Sequence, residues 1–101
     1  MEISYTNQNR ELTIYLKGEL DHHAAKQAMA AIDDQIEACL PSKAILDLKF
    51  VTFMDSSGIA VLLRAYRRMS ELEGSLMVRN VPEQTRRVLN VAGLNRLISF
   101  C

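Results

Sequence analysis

From Leu12 to Lys17 apolar and polar residues alternate strictly, with Leu12, Ile14 and Leu16 on one side and Thr13, Tyr15 and Lys17 on the other. A period of two in β-favouring residues predicts a half-buried strand. A shorter extended stretch, Ile3 to Thr6, precedes it across Asn7-Gln8-Asn9, so the two read as a hairpin. The pattern then changes. Between Ala24 and Leu40 the apolar positions Ala25, Ala28, Met29, Ile32, Ile36, Cys39 and Leu40 recur at helical spacing, and Pro41 ends the segment.

Ala44-Ile45-Leu46-Asp47-Leu48 is a short, nearly continuous apolar run, which predicts a central strand covered on both faces. Phe50, Val51 and Phe53 lead from it into the stretch MDSSGIA at 54 to 60. Beyond that stretch Ile59, Leu62, Leu63, Tyr66 and Met69 form a second helical stripe, leaving Arg64, Arg67 and Arg68 to water. Gly74 reads as a helix stop before a brief strand, Ser75 to Val78. Pro82 opens a third helix with Val88, Leu89 and Ala92 inward, Gly93 closes it, and Leu97 to Phe100 reads as a last strand. Strands alternating with helices predict an α/β fold with a mixed, mostly parallel sheet of about four to five strands and helices mainly on one face.

Composition narrows the functions open to such a chain. With 101 residues, 49% of them apolar, it fits a single domain spanning 1–101. Twelve basic and twelve acidic side chains cancel, so bulk charge directs it neither to nucleic acid nor to an anionic membrane. The amino terminus carries no secretory pattern and no apolar run approaches the roughly 20 residues of a membrane span, which gives a cytoplasmic expectation. Cys39 and Cys101 have neither zinc-site spacing nor the density of a disulfide scaffold, and Cys39 reads as an apolar filler.

Candidate chemistry concentrates at the strand-to-helix seam. Asp55 or Ser56 stands where a helix cap is needed, because a side-chain oxygen there accepts a first-turn amide. Gly58 lacks a Cβ inside that first turn, which leaves room for close approach by another backbone or a bulky partner. For Ser56 or Ser57 to act as a nucleophile a neighbouring base is required, and His22 and His23 are the sole histidines; no Gly-x-Ser-x-Gly elbow is present. A hydroxyl at such a helix start also suits phosphorylation by another protein. Four scattered glycines make neither a P-loop nor a kinase glycine-rich loop, so the chain reads as substrate and not as enzyme.

Two stretches together, GELDHHAA at 18 to 25 and FMDSSGIAVLLRAYRRM at 53 to 69, resemble the STAS domain family and, within it, the bacterial anti-anti-sigma factors. The likeness runs over nearly the whole chain, and the Asp-His-His form of the first loop favours the sporulation branch. The resemblance implies a STAS fold and a partner-switching cycle. Unphosphorylated antagonists bind an anti-sigma factor that is also a serine kinase of ATPase fold, and so free the sigma factor. Phosphorylation releases the antagonist and a PP2C-type phosphatase restores it. The family's acceptor is the serine directly after the aspartate, here Ser56, a choice over Ser57 that spacing alone leaves open. Its docking surface maps onto Asp21, His22 and His23 beside Asp55, Ser57, Gly58 and Ile59.

Read without the resemblance, Asp21 is a helix cap and the histidines an exposed first turn; side chains of neighbouring helical residues diverge by about 100°, and no third ligand makes a metal site. No cofactor is implied. Ile59-Ala60 replaces a common Leu-Gly, and Val81 occupies a common serine-cap position before Pro82. Many relatives continue into a further helix after the last strand; without it part of the sheet is uncovered and self-association becomes easier, though a monomer is expected. Two other uses of the fold stay open: a STAS module of another signalling complex, or a small-ligand or nucleotide-binding domain.

Overall fold

A computed structural model describes residues 1–100 and leaves Cys101, the second cysteine discussed above, outside the described residues. Strands β1 (Glu2–Gln8) and β2 (Glu11–Leu20) form the hairpin. Its turn is Asn9-Arg10, both in the left-handed region with φ of 53° and 63°, the conformation a two-residue turn needs to match strand twist. Helix α1 (His22–Cys39) follows, then β3 (Lys43–Met54), α2 (Ser56–Glu71), β4 (Ser75–Arg79), α3 (Glu83–Val91), a short 3₁₀ turn at Leu94–Arg96, and β5 (Ser99–Phe100). The sheet runs β1-β2-β3-β4-β5, antiparallel at the first pair and parallel at the other three.

The alternation in β2 sends Leu12, Ile14 and Leu16 into the same core cluster as Ala44, Leu46 and Leu48 of β3 and Leu76 and Val78 of β4. The helices meet that cluster through Ala28, Ile32 and Ile36 of α1, Val61, Leu62, Ala65 and Met69 of α2, and Leu89 of α3. Each large aliphatic side chain so enclosed contributes about 1.5–3 kcal/mol, which is what fixes the helices to this face. Off the core-facing positions β3 leaves Phe50 and Phe53 exposed. Ile45 and Asp47 are nevertheless buried, at 4% and 7% exposure. Ile45 lies between Thr13 and Met77 on the flanking strands. Asp47 is closed over by Arg79, whose Nε donates at 3.0 Å, and by Asn80, whose Nδ2 donates at 3.0 Å. The bond to Asp47 holds the Arg79 guanidinium's pKa above its ordinary value.

Several expectations are corrected. β3 does not stop at Leu48: it runs on to Met54, gaining one residue on β2 at each of two register shifts. The core-facing positions therefore become Leu48, Val51 and Met54, three apart, and the period of two disappears. In α2 the buried stripe is Gly58, Val61, Leu62, Ala65 and Met69, with Ile59, Leu63 and Tyr66 half-buried at its flank. Arg64 and Arg68 are not simply free in water: they reach Asp33 of α1 at 2.7 and 3.8 Å and tie the two helices together. Leu40 is 54% exposed and caps α1 in the left-handed region. The left-handed residue after α2 is Glu73, not Gly74; a Cβ at Gly74 would meet the Ser42 carbonyl oxygen at 2.9 Å, so close approach explains that glycine. In α3 Thr85 and Leu89 are buried while Ala92 is exposed, and Gly93 does close the helix, with φ of 78°. The last strand shrinks to Ser99–Phe100 because the 3₁₀ turn occupies the approach to it.

Candidate functional site

In the parallel pairing of β2 with β3, Leu20 stands opposite Met54. The residues that follow each strand, Asp21 and Asp55, therefore leave the same edge of the sheet side by side, and each starts a helix. Asp21, extended with φ −96° and ψ −170°, accepts the Ala24 amide N–H on Oδ1 at 3.0 Å. Asp55, with φ −114° and ψ −166°, accepts the Ser57 amide N–H on Oδ1 at 2.8 Å. Of the two cap candidates at the second seam, the structure selects Asp55. Both carboxylates thus satisfy first-turn amides that have no partner within the helix.

Ser56 is the first residue of α2 and is exposed; Ser57 is half-buried. That difference separates two hydroxyls that spacing cannot tell apart. His22 and His23 are both exposed, their ring centroids 6.3 Å apart at 60°. They serve different hollows. His22 lines a mostly apolar one between the helices with Ala25, Lys26, Met29, Ser57 and Ala60. His23 lines a polar one with Met1, Glu19, Asp21 and Gln27. Among the described residues no three histidine, cysteine or acidic side chains gather as metal ligands.

Two of the candidate residues also make contacts toward the interior. Gly58 is buried, and a Cβ on it would stand 2.4 Å from Met54 Cγ and 2.9 Å from Met54 Sδ. The room that the missing Cβ leaves on this side is taken by the chain's own Met54 side chain. Ile59 is half-buried and packs against the core. One residue of the site has no signal in the linear pattern at all. Gln84, in the first turn of α3, accepts the Met54 N–H on Oε1 at 3.1 Å and donates from Nε2 to the Met54 carbonyl at 3.1 Å. Only the docking of α3 reveals it.

A half-covered mixed sheet with two aspartate-capped helices leaving one edge is the architecture of a known domain class: the chain belongs to the STAS domain family, whose model matches residues 2–101. Within that family its relatives are anti-sigma factor antagonists. It is 31% identical over 98 residues to the anti-sigma F factor antagonist of Paenibacillus polymyxa, covering 97% of this chain and 84% of the relative. To that of Lysinibacillus sphaericus it is 35% identical over 83 residues, covering 82% and 71%. Among solved structures it is similar to the anti-sigma factor antagonist SpoIIAA in its unphosphorylated form, at 29% identity and TM-score 0.85, covering 99% of this chain and 88% of that one. A Bacillus SpoIIAA in the phosphorylated form matches at 28% identity and TM-score 0.76, covering 99% and 91%. The family is regulatory rather than catalytic. No helix among the described residues is long and apolar enough to cross a membrane.

Proposed function

We propose that this chain is a phosphorylation-switched anti-sigma factor antagonist: unmodified, it binds an anti-sigma factor that is also an ATPase-fold serine kinase, and phosphate on Ser56 ends the binding. A PP2C-type phosphatase resets the switch. The observation that carries this reading is the exposed Ser56 hydroxyl at the first position of α2, directly after the capping Asp55 and on the edge shared with the Asp21 loop. That relatives of this fold exist in phosphorylated and unphosphorylated forms supports it.

The physical basis is a difference between two environments of one dianion. Phosphate adds nearly two negative charges and three strong acceptors. At a helix start the dipole and free amides favour it by about 0.3–1 kcal/mol, so the fold tolerates it. Against a docked partner the same group lies beside Asp55 and must be desolvated opposite a surface shaped for a hydroxyl, a mismatch that costs several kcal/mol. The interface term wins. A penalty on the order of 3 kcal/mol weakens binding roughly a hundredfold with both folds intact. Asp21, His22, His23, Ser57 and the rim of Ile59 supply the rest of the proposed docking edge, with Gly58 acting from beneath.

Titration calorimetry against a purified anti-sigma F factor tests the proposal. Ser56→Ala is expected to bind as the unmodified chain does and to accept no phosphate from Mg–ATP, while Ser56→Asp binds weakly. Equal affinity of the two variants, or phosphate found on Ser57 alone by peptide mass spectrometry, overturns it.

A further inference from the structure

β4 ends at Arg79, opposite Asp47, so the last residues of β3 have no strand beside them on the β4 side among the described residues. In an extended chain the N–H and C=O of one residue point to the same side, and at a buried edge both need partners. For Met54 both are met by one carboxamide: Gln84 Oε1 accepts the N–H and Gln84 Nε2 donates to the carbonyl, each at 3.1 Å. Gln84 thus stands in for a single peptide unit of a missing strand. No other side chain does this equally. Asparagine is one methylene shorter, glutamate at neutral pH has no donor, and leucine offers neither group.

Met54 is consequently fixed from three directions. Its main chain is in register with Leu20 of β2, its polar groups are held by Gln84 of α3, and its side chain, 1% exposed, packs beneath Gly58 of α2. Asp55 is the next residue, and its carboxylate must point at the Ser57 amide for α2 to start where it does. We infer that Gln84 is a positioning residue: by clamping the Met54 main chain it sets the Asp55 cap and the outward presentation of Ser56 for phosphoryl transfer. The inference rests on the reading of Ser56 as the acceptor. It makes α3 a working part of the switch, through a residue thirty positions downstream of Met54.

The test combines amide exchange with phosphorylation. In Gln84→Leu the protection factors of the Met54 and Ser57 amides are expected to fall about tenfold or more, while those of Leu46 and Val78 in the sheet centre hold. The kcat/KM for phosphate transfer to Ser56 by purified anti-sigma F factor with Mg–ATP falls by about tenfold in the same variant. Gln84→Glu gives a signature that a general loss of packing does not. As pH falls from about 8 to about 4, below the ordinary glutamate value of about 4.3, the acid form that can both donate and accept becomes the major one and protection is partly regained; near pH 8 the carboxylate repels the Met54 carbonyl and protection is lost. Should Gln84→Leu unfold, seen as loss of protection at Leu46 and Val78, this pH comparison decides. Unchanged protection at Met54 and Ser57, or undiminished transfer despite loosened amides, overturns the inference. An unmodified chain that takes no phosphate at Ser56 overturns the acceptor reading instead, and the exchange data still report whether the clamp exists.

Discussion

Gly58 and Met54 form one packing unit: a Cβ on the glycine would stand 2.4 Å from the methionine Cγ, well inside van der Waals contact. Gly58→Ala gains about 1 kcal/mol of helix propensity but overfills the seam by about 1–3 kcal/mol. The single variant is therefore expected to be less stable by about 1 kcal/mol in urea unfolding. With Met54→Ala as background the clash is gone and Gly58→Ala becomes stabilising. A cost that is the same in both backgrounds would mean that Met54 is not the reason for the glycine.

Asp55 holds the first turn of α2 through its bond to Ser57. Asp55→Ala is expected to lower stability by about 1 kcal/mol, and Asp55→Asn, which keeps an acceptor oxygen, by much less. Chemical denaturation of the three proteins checks the order. Equal losses for Ala and Asn would assign the effect to charge and not to capping.

Thr85 is fully buried, and its Oγ1 has no hydrogen-bond partner among the described residues. A buried hydroxyl left unpaired carries its desolvation cost without return. Thr85→Val, of the same shape, is therefore expected to raise stability by about 1 kcal/mol, read as a higher melting temperature. A drop in melting temperature would refute the assignment.

The Asp21 carboxyl is held below its ordinary value of 3.8, first by the Ala24 amide, which outweighs the opposing effect of burial, and in lesser measure by the positive charge of His23. Its folded pKa is thus below its unfolded one, so its contribution to stability is present above the unfolded value and is lost as pH falls through the folded value. Asparagine caps equally well but does not titrate. Wild-type and Asp21→Asn melting temperatures are expected to run parallel above about pH 5, with the wild type losing ground to the variant as acid is added below that. Parallel curves down to about pH 2 would show that the carboxyl is not depressed.

Much of the architecture was legible because a single side-chain period determined it. The alternation in Leu12–Lys17 and the helical spacing of Ala25, Ala28, Ile32 and Ile36 each report burial on one face, and the structure buries those faces. Where two effects shared a segment the pattern failed. The register shifts in β3 destroyed its period of two after Leu48, and the stripe of α2 was misjudged because the small residues Gly58 and Ala65, inconspicuous by hydropathy, occupy its most crowded line.

By itself the sequence determined the alternation of strands and helices, the candidate caps Asp21 and Asp55, and the pair of serines, since each depends on residues within a few positions of one another. The tertiary structure decided which serine is exposed, what fills the space over Gly58, and that Gln84 completes the edge of β3. Those outcomes arise from contacts between elements that chain order separates. Their geometry exists only once the parallel pairing of β2 with β3 and the docking of α3 have closed the sheet's edge.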